Sequence, residues 1–312
     1  MYNKNVCLWI SVILLAAGSV LLFVGGPDYY SSRSFKHAWD IGHILYFALL
    51  TFLLYRWEPV SRRPLAEQWT IILVITFLAG ASIELMQYGT TRTPDTGDVL
   101  RDLTGSLLVL VFGPPGAKLQ PASLRLFLQF SVFALSLLQV WPVARSLVDE
   151  AIARHQFPLL SGFETPFEID RWQGSAGLTV ESLAPAFDVR LLKLSLTTDQ
   201  YSGATLSYFD GDWTSGRTLL ISLYNPDTSP LQITCRIHDL LHEDGDEEYE
   251  DRFNRSFLLV PGWNRIQIDL KDVQESPAGR SMDMSRIRGL GLFTVKLPAP
   301  RTLYIDEVRL TN

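Results

Sequence analysis

Residues 81–105, ASIELMQYGTTRTPDTGDVLRDLTG, close one apolar run, turn through a polar loop and open the next. At or near the ends of those runs stand Glu84, Gln87, Arg92, Asp98, Arg101 and Asp102. Ionisable groups at the edge of a membrane segment are costly unless solvated or paired, so the stretch marks both a boundary and a candidate site. Outward from it, apolar runs occupy about 6–25, 38–55, 68–88, 98–113 and 122–141. A hydrocarbon core about 30 Å thick takes about 20 helical residues. The pattern predicts an α-helical membrane bundle of five transmembrane helices over 1–142, the fourth of them the shortest.

Beyond residue 142 the composition changes. An amphipathic stretch and a junction make 143–162 a linker. From Phe163 the chain alternates apolar with polar residues in short runs, among them FDVRLLKLSL, RTLLISLYN, LQITCRIHD and TLYIDEVRL, punctuated by Gly, Pro, Asn and Asp. Eight such runs across 163–312 predict an all-β jelly-roll sandwich.

Across its 312 residues the chain carries a net charge of −6, which argues against a nucleic-acid partner because phosphate binding needs a basic surface. Its two cysteines, Cys7 and Cys235, fall in different halves and set up no disulfide framework. The first apolar run is long for a signal peptide and lacks a clean cleavage site, so it is read as an uncleaved helix. Lys4, Arg56, Arg62, Arg63, Lys118 and Arg125 fall on one side of the bundle, which the charge rule makes cytoplasmic. The expected topology is multi-pass in a bacterial inner membrane, with the N-terminus cytoplasmic and the C-terminal domain extracytoplasmic (periplasmic).

In that topology His43, Glu84, Gln87, Asp98 and Asp102 all reach the outer face. Glu84 with Gln87, and Asp98 with Asp102, share helix faces by their spacing. His43, Glu84 and Asp98 are candidate acid/base residues, since a histidine held by a carboxylate exchanges protons near neutral pH. The alternative for the same residues is an interhelical network that fixes the bundle. Arg92 and Arg101, with Gln87 and Asp102, are candidate ligand contacts, for guanidinium grips the phosphate of a group such as a lipid-linked sugar; the equal alternative is that the two arginines pair with Glu84, Asp98 or ordinary lipid headgroups. A metal on His43, Glu84 and Asp98 lacks a supporting motif.

The run Glu84-x-x-Gln87, Arg92, Asp98, Asp102 and Gly105, preceded by His43 and Tyr46 in DIGHILYF, resembles the VanZ family of bacterial membrane proteins over about 8–113. Asp102 stands where that family has Asn, and Trp39-Asp40-Ile41 replaces an Asp-Lys pair before the histidine. The resemblance implies an envelope location and no particular reaction. The C-terminal half is similar to galactose-binding-like jelly rolls of carbohydrate-binding modules. Phe163-Glu164, Asp212-Trp213, Pro261-Gly262-Trp263-Asn264 and 303–308 (LYIDEV) carry that likeness.

Trp172, Tyr201, Tyr208, Trp213, Tyr249 and Trp263 are the aromatics available to stack on sugar rings, although sandwich aromatics are often core. Trp213 is the one taken as a ligand contact. Glu164 and Asp306, at the two ends of the domain, are candidate ligands of a structural calcium. No cofactor beyond that calcium is implied. The leading reading is a cell-envelope membrane protein with an extracytoplasmic glycan-recognition domain, whose partners are membrane lipid and an envelope glycan or lipid-linked sugar. One alternative is a membrane enzyme that processes a lipid-linked glycan precursor at the outer face. The other is a structural or protein-docking envelope protein.

Overall fold

A computed structural model describes residues 4–28, 31–87, 95–184 and 187–312. The chain divides into two compact units, Met1–Arg145 and Ser146–Asn312.

The first unit is helical: α1 (Lys4–Leu21), α2 (Arg33–Arg56), α3 (Glu58–Ser61), α4 (Leu65–Gln87), α5 (Thr96–Phe112), α6 (Pro114–Ala117) and the start of α7 (Ala122–Gln156). Ser32 caps α2 and Asp95 caps α5 by accepting backbone N–H bonds from Phe35 and Gly97. Three helices are long and apolar enough to cross a membrane: α2, α4 and α7. The expected count of five is not reached among the described residues. The apolar part of α1 runs only from Leu8 to Leu21, and α5 has 17 residues.

Much of the apolar surface of these helices points outward. Leu45, Leu85, Phe130 and Leu138 are all exposed. With so little apolar burial, association between helices falls to small residues and polar ties. Gly105 lets α5 approach α2 until a Cβ there would overlap the Ile44 carbonyl oxygen. The hydroxyls of Thr51, Ser106 and Thr76 form a chain with 2.7 Å links that joins α2, α5 and α4. Ser19 meets Tyr46 at 2.9 Å between α1 and α2, and Gln139 donates to Thr104 at 2.8 Å between α7 and α5.

The second unit is an antiparallel β-sandwich. Its strands are β1 (Leu159–Ser161), β2 (Trp172–Gly174), β3 (Gly177–Ala184), β4 (Phe187–Leu196), β5 (Tyr201–Leu206), β6 (Thr218–Asn225), β7 (Leu231–Asp239), β8 (Phe253–Leu259), β9 (Gly262–Asp269), β10 (Ile287–Val295) and β11 (Arg301–Thr311). One sheet has the order β3-β4-β11-β6-β9, with β1 paired to β11; the other runs β2-β5-β10-β7-β8. From β4 to β7 and again from β8 to β11 successive strands switch sheets, as a jelly roll requires. The core lies between the sheets, filled by alternate residues such as Leu192, Leu194, Leu223, Ile233, Cys235, Ile237, Leu292 and Ile305. Burial pushes the Cys235 thiol up to about 12, so it packs as a small neutral hydrophobe.

Residues 143–162, read as a linker, are structured: α7 continues through Pro142 to Gln156, and β1 follows. The reason is a buried charge. Arg171 is fully buried and grips Asp149 with Nη2 at 2.7 Å and Nε at 3.0 Å, while Nη1 donates to the Leu160 carbonyl at 2.9 Å. Glu168, equally buried, accepts the backbone N–H groups of Gly162, Phe163 and Thr165. These bonds hold the entry to the sandwich, where Phe163 takes a left-handed φ of 59°.

Candidate functional site

In the helical unit the polar residues singled out by sequence do converge, and most are committed to one another. His43 of α2 is buried, with Nδ1 2.8 Å from Asp102 Oδ1 and Nε2 3.5 Å from Asp98 Oδ2, both acids on α5. Gly80 on α4 leaves the space that the Asp102 carboxylate fills. Glu84 Oε2 accepts the Asp95 N–H at 2.7 Å. Gln87 donates to the Leu22 carbonyl at 2.9 Å, which makes it a tie between α4 and the end of α1. Arg101 lies against Asp98, against Asp95 at 3.2 Å and against Asp40 at 3.8 Å. Its guanidinium is thus paired with carboxylates, Asp98 among them, as the second of the two readings of this arginine has it. Arg92 lies outside the described residues. The Oε1 of Glu84 and the Oδ2 of Asp102 make no hydrogen bond among the described residues.

A second site joins Tyr201 and Tyr249, two of the aromatics singled out in the sequence, to residues that the sequence did not point to. On the face of the five-stranded sheet turned away from the core lies a cleft of about 650 Å³. Alternation builds it. While Ile233, Cys235 and Ile237 of β7 point into the core, Gln232, Thr234 and Arg236 line the cleft, and Tyr201 and Thr205 do so from β5. Phe293 and Val295 enter from β10, and Tyr249 and Arg252 from the segment before β8. Tyr201 and Tyr249 are well exposed; Tyr201 meets Phe293 edge to face at 5.9 Å between ring centres. The Thr234 and Ser256 hydroxyls lie 2.9 Å apart on the floor.

The segment carrying Tyr249 and Arg252 is anchored beside the cleft. Arg280 holds Asp251 with Nε at 2.6 Å and Nη2 at 2.8 Å, and Asp239 with Nη1 at 2.6 Å and Nη2 at 2.9 Å. Hydrogen bonds from Arg280 hold the Asp251 carboxyl below the usual carboxylate range. Burial alone would raise Asp239, but Arg280 and the Asp283 and His242 amides outweigh it and hold that carboxyl low as well. Burial, then the neighbouring His238, lowers His242.

Trp213, expected to stack on a ligand, is instead fully buried in the core, with Nε1 donating to the Asp210 carbonyl at 3.2 Å. Trp172 is also core and donates to Ser161 Oγ at 3.1 Å. Trp263 is exposed on the opposite sheet, its ring 5.2 Å from that of Tyr224. Glu164 and Asp306 are near enough for their charges to interact. Burial raises the Asp306 carboxyl, with Glu307 and then Glu164 adding to the rise. No group of three or more acidic, histidine or cysteine side chains arranged to hold a metal occurs among the described residues.

Neither a family model nor a curated protein matches the chain, so the VanZ resemblance of the helical half is unsupported. Solved structures similar to the C-terminal part include a family 11 carbohydrate-binding module from Clostridium thermocellum in complex with a β-1,3-1,4-mixed-linked tetrasaccharide. The two are 18% identical over 49% of this chain and 94% of that one, with a TM-score of 0.36. The solution structure of CtCBM11 is 20% identical over the same shares, with a TM-score of 0.37. An exo-β-agarase is 16% identical over 49% of this chain and 24% of that chain, with a TM-score of 0.40.

Proposed function

We propose that this is a bacterial envelope protein that recognises a glycan through its β-sandwich and is held in the membrane by its helical unit. The observation that carries the reading is the cleft on the outward face of the five-stranded sheet. Exposed Tyr201 and Tyr249 and half-buried Phe293 offer apolar ring faces, while Gln232, Thr234 and Ser256 offer hydrogen-bonding groups between them. Sugar rings present the complementary surfaces, apolar C–H faces rimmed by hydroxyls, and a pocket with a few placed polar groups suits such a ligand. The exposed apolar faces of α2, α4 and α7 support the membrane half of the proposal. The loop charges support an extracytoplasmic side for the sandwich.

Retention of the detergent-solubilised full-length protein in affinity gels cast with envelope and storage polysaccharides tests recognition. The proposal predicts retardation by at least one polysaccharide that is lost when Tyr201 is changed to Ala; migration unaffected by every polysaccharide contradicts it. Protease added to intact spheroplasts tests orientation. Digestion of the sandwich from outside is expected, and protection until lysis contradicts it.

A second reading rests on one specific contact. His43, buried between Asp98 and Asp102, has the form of a histidine–carboxylate proton-transfer pair, and such a pair could serve a membrane enzyme acting on a lipid-linked glycan precursor. Under that reading His43→Ala abolishes a cellular phenotype and leaves protein level intact. Equal loss of protein assigns the pair to holding the bundle.

A further inference from the structure

The aromatic cleft holds two guanidinium groups that make no ion pair among the described residues. Arg236 of β7 stands in register with Gly291 of β10 and with Asn254 of β8. Because Gly291 has no side chain, Arg236 lies across it; a Cβ there would sit 3.5 Å from Arg236 Nε and 3.3 Å from Thr205 Oγ1. Arg252, just before β8, places its guanidinium carbon 5.4 Å from the centre of the Tyr249 ring. Both arginines line the cleft, and the Nε of each is buried without a hydrogen bond among the described residues.

Four other arginines of the sandwich are paired with acids. Arg255 meets Asp272 at 2.9 Å, Arg280 meets Asp239 and Asp251, Arg286 meets Asp283 at 3.0 Å, and Arg301 meets Asp227. Among the described residues no acid lies within ion-pair distance of Arg236 or Arg252. Burial lowers the proton affinity of Arg252, the like charge of Arg236 lowers it further, and Glu247 opposes this less strongly. Two half-buried cations facing one cleft cost stability, in a chain whose net charge of −6 offers many acids that could have been placed there. An anion arriving with the ligand removes that cost, and guanidinium binds carboxylate and sulfate oxygens through paired N–H bonds.

We propose that the cleft takes an acidic glycan, the anionic group of one sugar held between Arg236 and Arg252 while Tyr201, Phe293 and Tyr249 receive ring faces. This rests on the glycan-recognition reading and narrows it to sugars bearing a carboxylate or a sulfate ester.

The test is calorimetric titration of the full-length protein in detergent with four probes of matched length: oligogalacturonate, sulfated carrageenan oligosaccharide, neutral cello-oligosaccharide and polyglutamate. At least one anionic oligosaccharide is expected to bind tenfold or more tightly than the neutral one. Its affinity should fall as salt rises. Arg236→Gln and Arg252→Gln should each lose at least tenfold at a melting temperature that is unchanged or raised, with Arg252→Lys keeping part of the affinity. The wild-type salt dependence needs no variant, so the proposal stays testable even where a substitution impairs folding. Which anionic probe binds separates carboxylate from sulfate. Equal or tighter binding of the neutral oligosaccharide overturns the acidic specificity and leaves glycan recognition standing. Binding of polyglutamate alone, or of no probe, overturns both.

Discussion

Tyr201 of β5 and Phe293 of β10 meet edge to face, their ring centres 5.9 Å apart, on the sheet face turned away from the core. Phe293 is half-buried, and Tyr201 is 58% exposed although it packs on an aromatic neighbour. A phenol ring held in place yet open to solvent can bind a sugar face at little ordering cost. Tyr201→Ala should therefore weaken glycan binding by about fivefold, in line with the roughly 1 kcal/mol of an aromatic contact, and shift the melting temperature little. Titration of both proteins beside a thermal melt checks this, and a large loss of stability with unchanged affinity would contradict it.

The Arg280 clamp makes a pH-dependent contribution whose sign is fixed. Asp239 and Asp251 have carboxyls held below their ordinary values. Such groups contribute stability that is fully present above the unfolded-state value near 4 and is lost as pH falls through the depressed folded value. The wild-type sandwich should lose stability on acidification below about pH 4, and Arg280→Ala should start lower and lose less over the same interval. Melting temperatures at pH 7 and pH 3 for both proteins measure the difference. Parallel curves would show that the clamp contributes nothing to acid sensitivity.

Asp149 and Arg171 are both buried. Removing Asp149 leaves the buried Arg171 with only the more distant Glu168 carboxylate, 3.8 Å away, and breaking such a buried pair costs about 3–5 kcal/mol. Asp149→Ala should destabilise the sandwich by that order, although residue 149 lies in α7 and outside the strand region. Chemical denaturation that shows no change would exclude the pair as a determinant of the second unit.

Close approach of α2 and α5 depends on Gly105, where any side chain meets the Ile44 carbonyl. Gly105→Val should separate the helices and break the His43–Asp102 bond, lowering the thermal midpoint of the helical unit. Asp102→Asn, which keeps the shape and a hydrogen-bonding group, should lower it less. Interhelical polar ties of this kind contribute about 0.6–1.7 kcal/mol. The reverse order of the two variants would mean that charge, rather than packing, holds the helices.

The helical unit and the sandwich were legible because their signals are periodic. Apolar runs with acids at their ends announce helices, and alternation announces strands. Helix spacing also put Asp98 and Asp102 on one face, since residues four apart share it, and His43 of α2 meets both. What escaped has physical reasons. β1 and β2 have three residues each, too short for alternation to register. α7 extends past Pro142 because Arg171 captures Asp149 from 22 residues away, a pairing without a local signature. Trp213 sits beside a turn in sequence and inside the core in space. The cleft was hidden for the opposite reason: in LQITCRIHD the apolar positions drew the reading, while Gln232, Thr234 and Arg236 between them form the site.

The account stands most directly on where a sugar sits. Hydrogen exchange of the full-length protein, with and without the oligosaccharide that binds most tightly, locates it. New protection confined to 201–205, 232–236, 249–252 and 291–295 is the predicted result, since these segments line the cleft on the outward face of the five-stranded sheet. Protection around Ser222, Trp263 and Arg265 on the other sheet, or none in the sandwich at all, would contradict the assignment of the cleft as the binding site.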